Sequence, residues 1–271
     1  MRKSMILSRD AGAVQSRIAV GMSVAILLVV AGWALLRHDT PPSPLVPLRI
    51  LENYPHDRDA FTQGLLFHDG VLLESTGRKG QSSLRKVEVA TGKVLEKVPV
   101  DADLFAEGLA LAGDTLVQLT WKAGRALKYR WPNLERAGEW AYEGEGWGLT
   151  FDGERFIMSD GSSSLQFRDP EDFRVLGRIT VRDGDLEVRF LNELEWVRGE
   201  IWANVWHSDK VMCIDPESGR VLRRLDGAKL RKRVGGSASG DMTFNGIAWD
   251  KTGERVFMTG KLWPQLFVVS E

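Results

Sequence analysis

Five stretches of this chain repeat one internal order: a polar or aromatic residue, a small or acidic one, an apolar strand, a Gly-containing turn and a second strand. They read FTQGLLFHDGVLLESTG, FAEGLALAGDTLVQLTW, GWGLTFDGERFIMSDG, LNELEWVRGEIWANVW and FNGIAWDKTGERVFMTGK, with marked positions Gln63, Glu107, Trp147, Asn192 and Asn245. The separations are 44, 40, 45 and 53 residues, the length of a four-stranded propeller blade. Between them lie SLRKVEVATGKVLEKVPV, LQFRDPEDFRVLGRITV and KVMCIDPESGRVLRRLD, whose alternation and tight turns suit the outer hairpin of a blade. Only 26 residues follow Asn245 and 16 (47–62) precede Gln63. Joined, the two chain ends make one blade, and a ring sealed in this way leaves no free edge. The reading is an all-β, five-bladed β-propeller over 47–271, its last blade closed by both chain ends.

Innermost strands of a propeller surround a central channel, so the five marked positions should converge on one mouth although they are far apart in sequence. A second ring follows from the end of each second strand: Gly77, Trp121, Gly161, Trp206 and Lys261. Phe61 and Phe105, two residues before Gln63 and Glu107, project to the same side of their strands. The result is an aromatic pocket with few polar groups, as small-ligand sites tend to be. Within it Glu107 is conspicuous, because burying an unpaired carboxylate costs several kcal/mol or forces it to hold a proton. Structural roles compete at each position. Asn245 before Gly246 suits turn chemistry, Gln63 and Asn192 suit blade junctions, Trp121 and Trp206 suit packing, and Glu107 an ion pair with Lys261. Glu145, Asp160, Glu193 and Glu195 are alternative acids, and alternation turns Glu193 away from the side that Asn192 faces.

The amino terminus differs in kind. Residues 18–36 form an uncharged run of 19 residues, about 28 Å as a helix and enough to span a bilayer core. Arg2, Lys3, Arg9 and Arg17 precede it, which keeps the tail 1–17 cytoplasmic and sends the remainder across. We read 18–36 as a transmembrane signal-anchor, with a cleaved signal peptide as the alternative. Residues 37–46 form a Pro-rich linker, and the catalytic domain is expected in a bacterial periplasm, held at the inner membrane. A formal net charge of -1 gives no reason to expect a nucleic-acid surface. Cys213, the one cysteine, excludes an internal disulfide, and the histidines at 38, 56, 68 and 207 have no metal-ligand spacing, so no metal site is expected.

Ten blocks, YPHDRDAFTQGL, ESTGRKGQSSLRKV, FAEGL, QLTWK, GEGWGL, SDGSS, LNELE, ANVW, NGIA and TGKLWP, together resemble the glutamine cyclotransferase family, the plant and bacterial type of glutaminyl-peptide cyclotransferase. The likeness covers 54–267. It implies a five-bladed propeller and an acyltransferase that converts N-terminal glutaminyl residues to pyroglutamate with release of ammonia, without cofactor or catalytic zinc. The family's functional positions fall on Phe61, Gln63, Phe105, Glu107, Trp121, Trp147, Asn192, Trp206 and Lys261, with no substitution among them. Departures lie in KLRKRVGGSASGD (229–241) and at His207. The implied partner is a peptide or protein with N-terminal Gln; separately, a monomer is expected. Glu107 is the expected general acid and base, Lys261 the expected stabiliser of oxyanion charge, and the other seven the expected substrate-binding residues. Burial would raise the Glu107 pKa and Lys261 would lower it, and the sequence leaves that contest open. A binding propeller that recognises peptide termini without turning them over is the alternative from another class.

Overall fold

The computed structural model describes residues 40–235 and 240–271. The expected membrane span 18–36, the cytoplasmic tail and the first residues of the linker (37–39) lie outside the described residues. Two strands come first, β1 (Leu45–Pro47) and β2 (Arg49–Pro55). Blade one is β3 (Thr62–His68), β4 (Val71–Thr76), β5 (Ser83–Glu88) and β6 (Val94–Pro99). Blade two is β7 (Ala106–Ala112), β8 (Thr115–Thr120), β9 (Arg125–Arg130) and β10 (Glu135–Ala141). Blade three is β11 (Leu149–Phe151), β12 (Phe156–Ser159), β13 (Ser164–Arg168) and β14 (Val175–Thr180), followed by a small hairpin of β15 (Arg182–Asp183) and β16 (Leu186–Glu187). Blade four is β17 (Leu191–Val197), β18 (Glu200–Val205), β19 (Lys210–Ile214) and β20 (Val221–Asp226). After one short helix, α1 (Ala228–Arg233), blade five is β21 (Phe244–Asp250), β22 (Arg255–Gly260) and β23 (Gln265–Ser270).

Blade five takes its fourth strand from the other chain end: β2 pairs antiparallel with β23, from Arg49 opposite Ser270 to Pro55 opposite Gln265. The expected closure is therefore present. β1 was not expected as a strand. It pairs parallel with β20 of blade four, so the end of the linker covers an outer edge that would otherwise present unpaired backbone groups. Cys213 lies buried in β19, where desolvation pushes its thiol pKa up, as its apolar neighbours suggest.

The innermost strands β3, β7, β11, β17 and β21 pack in a ring, with β21 returning to β3. Their backbones nearly touch. A Cβ added to Gly108 would lie 2.4 Å from the Leu149 nitrogen, and one added to Gly148 would lie 1.9 Å from the Asn192 oxygen. Only glycine permits that approach. In blade four the same place in the repeat is Glu193, whose buried carboxylate accepts hydrogen bonds from Leu65 N at 3.2 Å and Ile247 N at 3.0 Å. It thereby bridges the inner strands of blades one and five, turned from the side of Asn192 as alternation requires. Beyond it a second cavity of about 690 Å³ opens at the other end of the channel, between Glu195, Trp196 and Trp249.

The seam where the chain ends meet is tied by buried polar groups. Glu74 on β4 accepts from Thr62 Oγ1 at 2.7 Å, Arg85 Nε at 3.2 Å and His56 Nε2 at 3.0 Å. Arg85 also binds Asp57 at 2.7 Å. His56, just after β2, donates through Nδ1 to the Trp263 carbonyl at 2.7 Å, so both ring nitrogens serve as donors and the imidazole is cationic. Burial opposes that charge, but Glu74 outweighs it and raises the His56 pKa. Burial likewise works against the Glu74 carboxylate, and Arg85 and His56 overcome it, holding Glu74 far below the usual range.

Candidate active site

Four of the five marked positions sit at an irregularity in their strands, and Trp147, which precedes β11, does not. The register between first and second strands shifts at Thr62/Gly64, Ala106/Leu109, Leu191/Leu194 and Phe244/Ile247, which brackets Gln63, Glu107, Asn192 and Asn245. Bulges of this kind re-aim side chains beside functional sites. A common backbone bond joins the two rings. Gly77 N donates to Phe61 O, Trp121 N to Phe105 O, Trp206 N to Phe190 O and Lys261 N to Thr243 O, at 2.8–2.9 Å. Blade three departs, since Trp147 N instead donates to Ser159 O at 3.0 Å.

All nine of the site residues expected from the sequence line one pocket of about 200 Å³ at this mouth, joined by Gly240, Asp241 and Thr243. Asn245 is not among them. Its amide donates to Thr62 O at 3.0 Å and ties blade five to blade one, so the structural role prevails there. The walls are two aromatic sets. Phe61 meets Phe105 edge-on at 6.1 Å and Phe105 meets Trp121 at 5.6 Å. Opposite, Trp147 meets Trp206 at 5.6 Å and 89°, and Trp206 meets Phe190 at 6.2 Å.

At the centre Glu107 is 5% exposed. Gln63 Nε2 donates to its Oε1 at 3.1 Å, and among the described residues no ion pair joins Glu107 to Lys261 within 4.0 Å. Desolvation is the strongest influence on Glu107. Lys261 acts against it, Glu145 adds to it, and the balance lifts the pKa well above the ordinary 4.5. Lys261 is also buried and its pKa is lowered, again by desolvation first, against the attraction of Glu107 and Asp241. Its ammonium lies 5.0 Å from the centre of the Phe61 ring. Gln63 Oε1, Asn192 Oδ1 and Thr243 Oγ1 are buried and accept or donate no hydrogen bond. Buried polar groups are normally satisfied, so this pocket holds unspent bonding capacity on three sides.

Thr243 escaped the sequence reading, although a signal existed. It stands two residues before Asn245, as Phe61 and Phe105 stand before Gln63 and Glu107, and Phe190 stands before Asn192. Asp241 is the second addition. It pairs with Arg78 at 2.9 Å, and the Arg78 guanidinium covers the Phe61 ring at 4.4 Å. The divergent segment 229–241 thus reaches the pocket, while 236–239 lie outside the described residues. Among the described residues no three of His, Cys, Asp and Glu are grouped to hold a metal ion.

The profile of the glutamine cyclotransferase family matches residues 24–270. The chain belongs to that family. A glutaminyl-peptide cyclotransferase of Arabidopsis thaliana is 42% identical over 225 residues, covering 82% of this chain and 70% of the plant protein. The crystal structure of Myxococcus xanthus glutaminyl cyclase superposes with a TM-score of 0.80 at 39% identity, covering 84% of this chain and 97% of the bacterial one.

Proposed function

We propose that this protein is a glutaminyl-peptide cyclotransferase that closes N-terminal glutaminyl residues of peptides and proteins to pyroglutamate, releasing ammonia. The observation that carries the mechanism is a buried carboxyl, Glu107, with one hydrogen-bond partner and a raised pKa, set among groups whose bonding capacity is unspent. Family membership and the named relatives support the activity.

In the reaction the substrate's α-amino nitrogen attacks its own γ-carboxamide carbon. A C–N bond forms to close the five-membered ring, and the bond to the amide nitrogen breaks. One proton must leave the attacking amine and one must reach the departing nitrogen. Glu107 does both in turn: it accepts the amine proton, then returns it to the leaving group, which departs as ammonia. Its raised pKa makes the ionised carboxyl a stronger base than an ordinary glutamate. Gln63 holds one carboxyl oxygen and leaves the other free. Lys261 donates to the oxyanion of the tetrahedral intermediate. Gln63 Oε1 and Asn192 Oδ1 accept from the substrate's amine and amide, and the aromatic walls fold the flexible side chain into its attacking conformation. Every step is assigned to these side chains without a metal, and chelator treatment that abolished activity until zinc was restored would refute that.

The test of the activity is incubation of the purified protein with a glutaminyl peptide, following ammonia release and the loss of one ammonia from the peptide mass. Binding without either change would support the propeller that only recognises peptide termini. We further propose that the catalytic domain acts as a monomer in a bacterial periplasm, anchored to the inner membrane by residues 18–36. The uncharged run behind four basic residues supports the anchor. Recovery of the full-length chain from the soluble fraction of disrupted cells would count against it, as would a dimer mass by light scattering against the monomer.

A further inference from the structure

The residue two places before each marked position is Phe61, Phe105, Glu145, Phe190 and Thr243 in blades one to five. Three of these are aromatic, and blade three has a carboxylate instead. Glu145 Oε2 accepts from Trp121 Nε1 at 2.7 Å and from Trp147 Nε1 at 3.0 Å. One oxygen therefore ties the last ring of one aromatic set to the first ring of the other. The second oxygen faces Lys122 Nζ at 3.4 Å, and that ammonium lies 4.2 Å from the centre of the Trp121 ring.

We propose that Glu145 is a positioning residue for cyclisation, fixing the tilt of the Trp121 and Trp147 indoles so that both walls of the pocket keep their spacing. The proposal rests on the cyclotransferase reading of the pocket. A plain surface ion pair with Lys122 would contribute little at this exposure, and it uses the other oxygen, so the two roles are separable. Glu145 also acts at a distance on Glu107, since its negative charge disfavours a second one nearby. The charged groups about Glu107 are Lys261 after β22 and Glu145 before β11, with the Arg78–Asp241 pair at the rim; Gln63 on β3, Asn192 on β17 and the Tyr142 phenol after β10 are neutral neighbours. Burial weighs against the Glu145 charge, but the bonds from Trp147, Trp121 and Lys122 keep its carboxyl below the usual range, so the charge is present from the ordinary 4.5 upwards.

Three substitutions in the full-length protein test this. Glu145→Ala removes both indole bonds, and kcat/KM for a glutaminyl peptide should fall at least about tenfold through loss of the attacking geometry. Glu145→Gln keeps an oxygen for both indoles, so kcat/KM at its optimum should stay within about threefold. The limb of the pH profile that reports Glu107 should then move to lower pH by about half a pH unit, a small step because partial exposure screens the charge. Lys122→Ala should change neither. Indole N–H resonances of Trp121 and Trp147 supply a readout independent of turnover: both should move in Glu145→Ala and hold in Glu145→Gln. Unmoved resonances in Glu145→Ala, or equal losses of activity in both Glu145 variants, would overturn the proposal. Moved resonances in Glu145→Ala, together with a wild-type protein that fails to cyclise any glutaminyl peptide, would sink the activity and leave the bracing of the walls supported.

Discussion

Glu74 and Glu107 are both buried carboxylates, 1% and 5% exposed, and they are held in opposite states. Glu74 is surrounded by Arg85, His56 and Thr62 and stays ionised far below the usual glutamate range. Glu107 has one amide donor, a lysine beyond ion-pairing distance and aromatic walls, and burial pushes its pKa well up. Burial alone thus fixes neither charge nor role. What differs is whether the fold supplies partners, and a carboxyl left short of them remains free to exchange a proton.

The largest expected effect separates the two by function. Glu107→Gln should fold normally and lose about 10²–10⁴-fold in kcat, the usual worth of general acid–base catalysis. Near-wild-type cyclisation by this variant would end the assignment. Glu74→Gln should instead cost about 3–5 kcal/mol of stability in chemical denaturation, because the buried Arg85 loses its main counter-charge.

The two sites should also respond oppositely to pH. The Glu74 pKa is depressed on folding, so its contribution is complete above the ordinary 4.5 and is lost as pH falls towards its folded value. The Glu107 pKa is raised, so its cost is absent below 4.5 and grows as pH climbs through its folded value. Glu107→Gln should therefore be more stable than wild type at pH 8 by about 1 kcal/mol, with the advantage vanishing towards pH 4.5. Melting curves across that range check both signs, and a constant difference would break the comparison. The smallest effect concerns Thr243. Replacing its unpartnered hydroxyl in Thr243→Val should leave stability unchanged while raising KM about two- to tenfold, the worth of one hydrogen bond to substrate. An unchanged KM would remove Thr243 from the binding set.

The period of the repeat made the blade count and the convergence of distant residues legible, because five copies of one local pattern leave few ways to pack. The nine site residues follow from that order and from the family likeness. Local alternation did not reveal the bulges that aim Gln63, Glu107 and Asn192, because a bulge is a mismatch between two strands and neither strand displays it alone. Asn245 had the right place in the repeat, yet its amide nitrogen donates to Thr62 O and the residue does not line the pocket. The strand at Leu45–Pro47 went unseen because proline-flanked backbone has no periodic signature, and only the open edge of β20 gives it a partner. The direction of the Glu107 pKa depends on a few ångströms between Glu107, Lys261 and Glu145, a scale that residue order does not carry.

Glu193, clamped between Leu65 N and Ile247 N, ties the inner strands of blades one and five. Its consequence is mechanical. A side chain locked by two backbone donors cannot swing, so it holds those two strands at one spacing. Gln63 and Asn245 each stand two residues before a clamped nitrogen, and they keep their places with it.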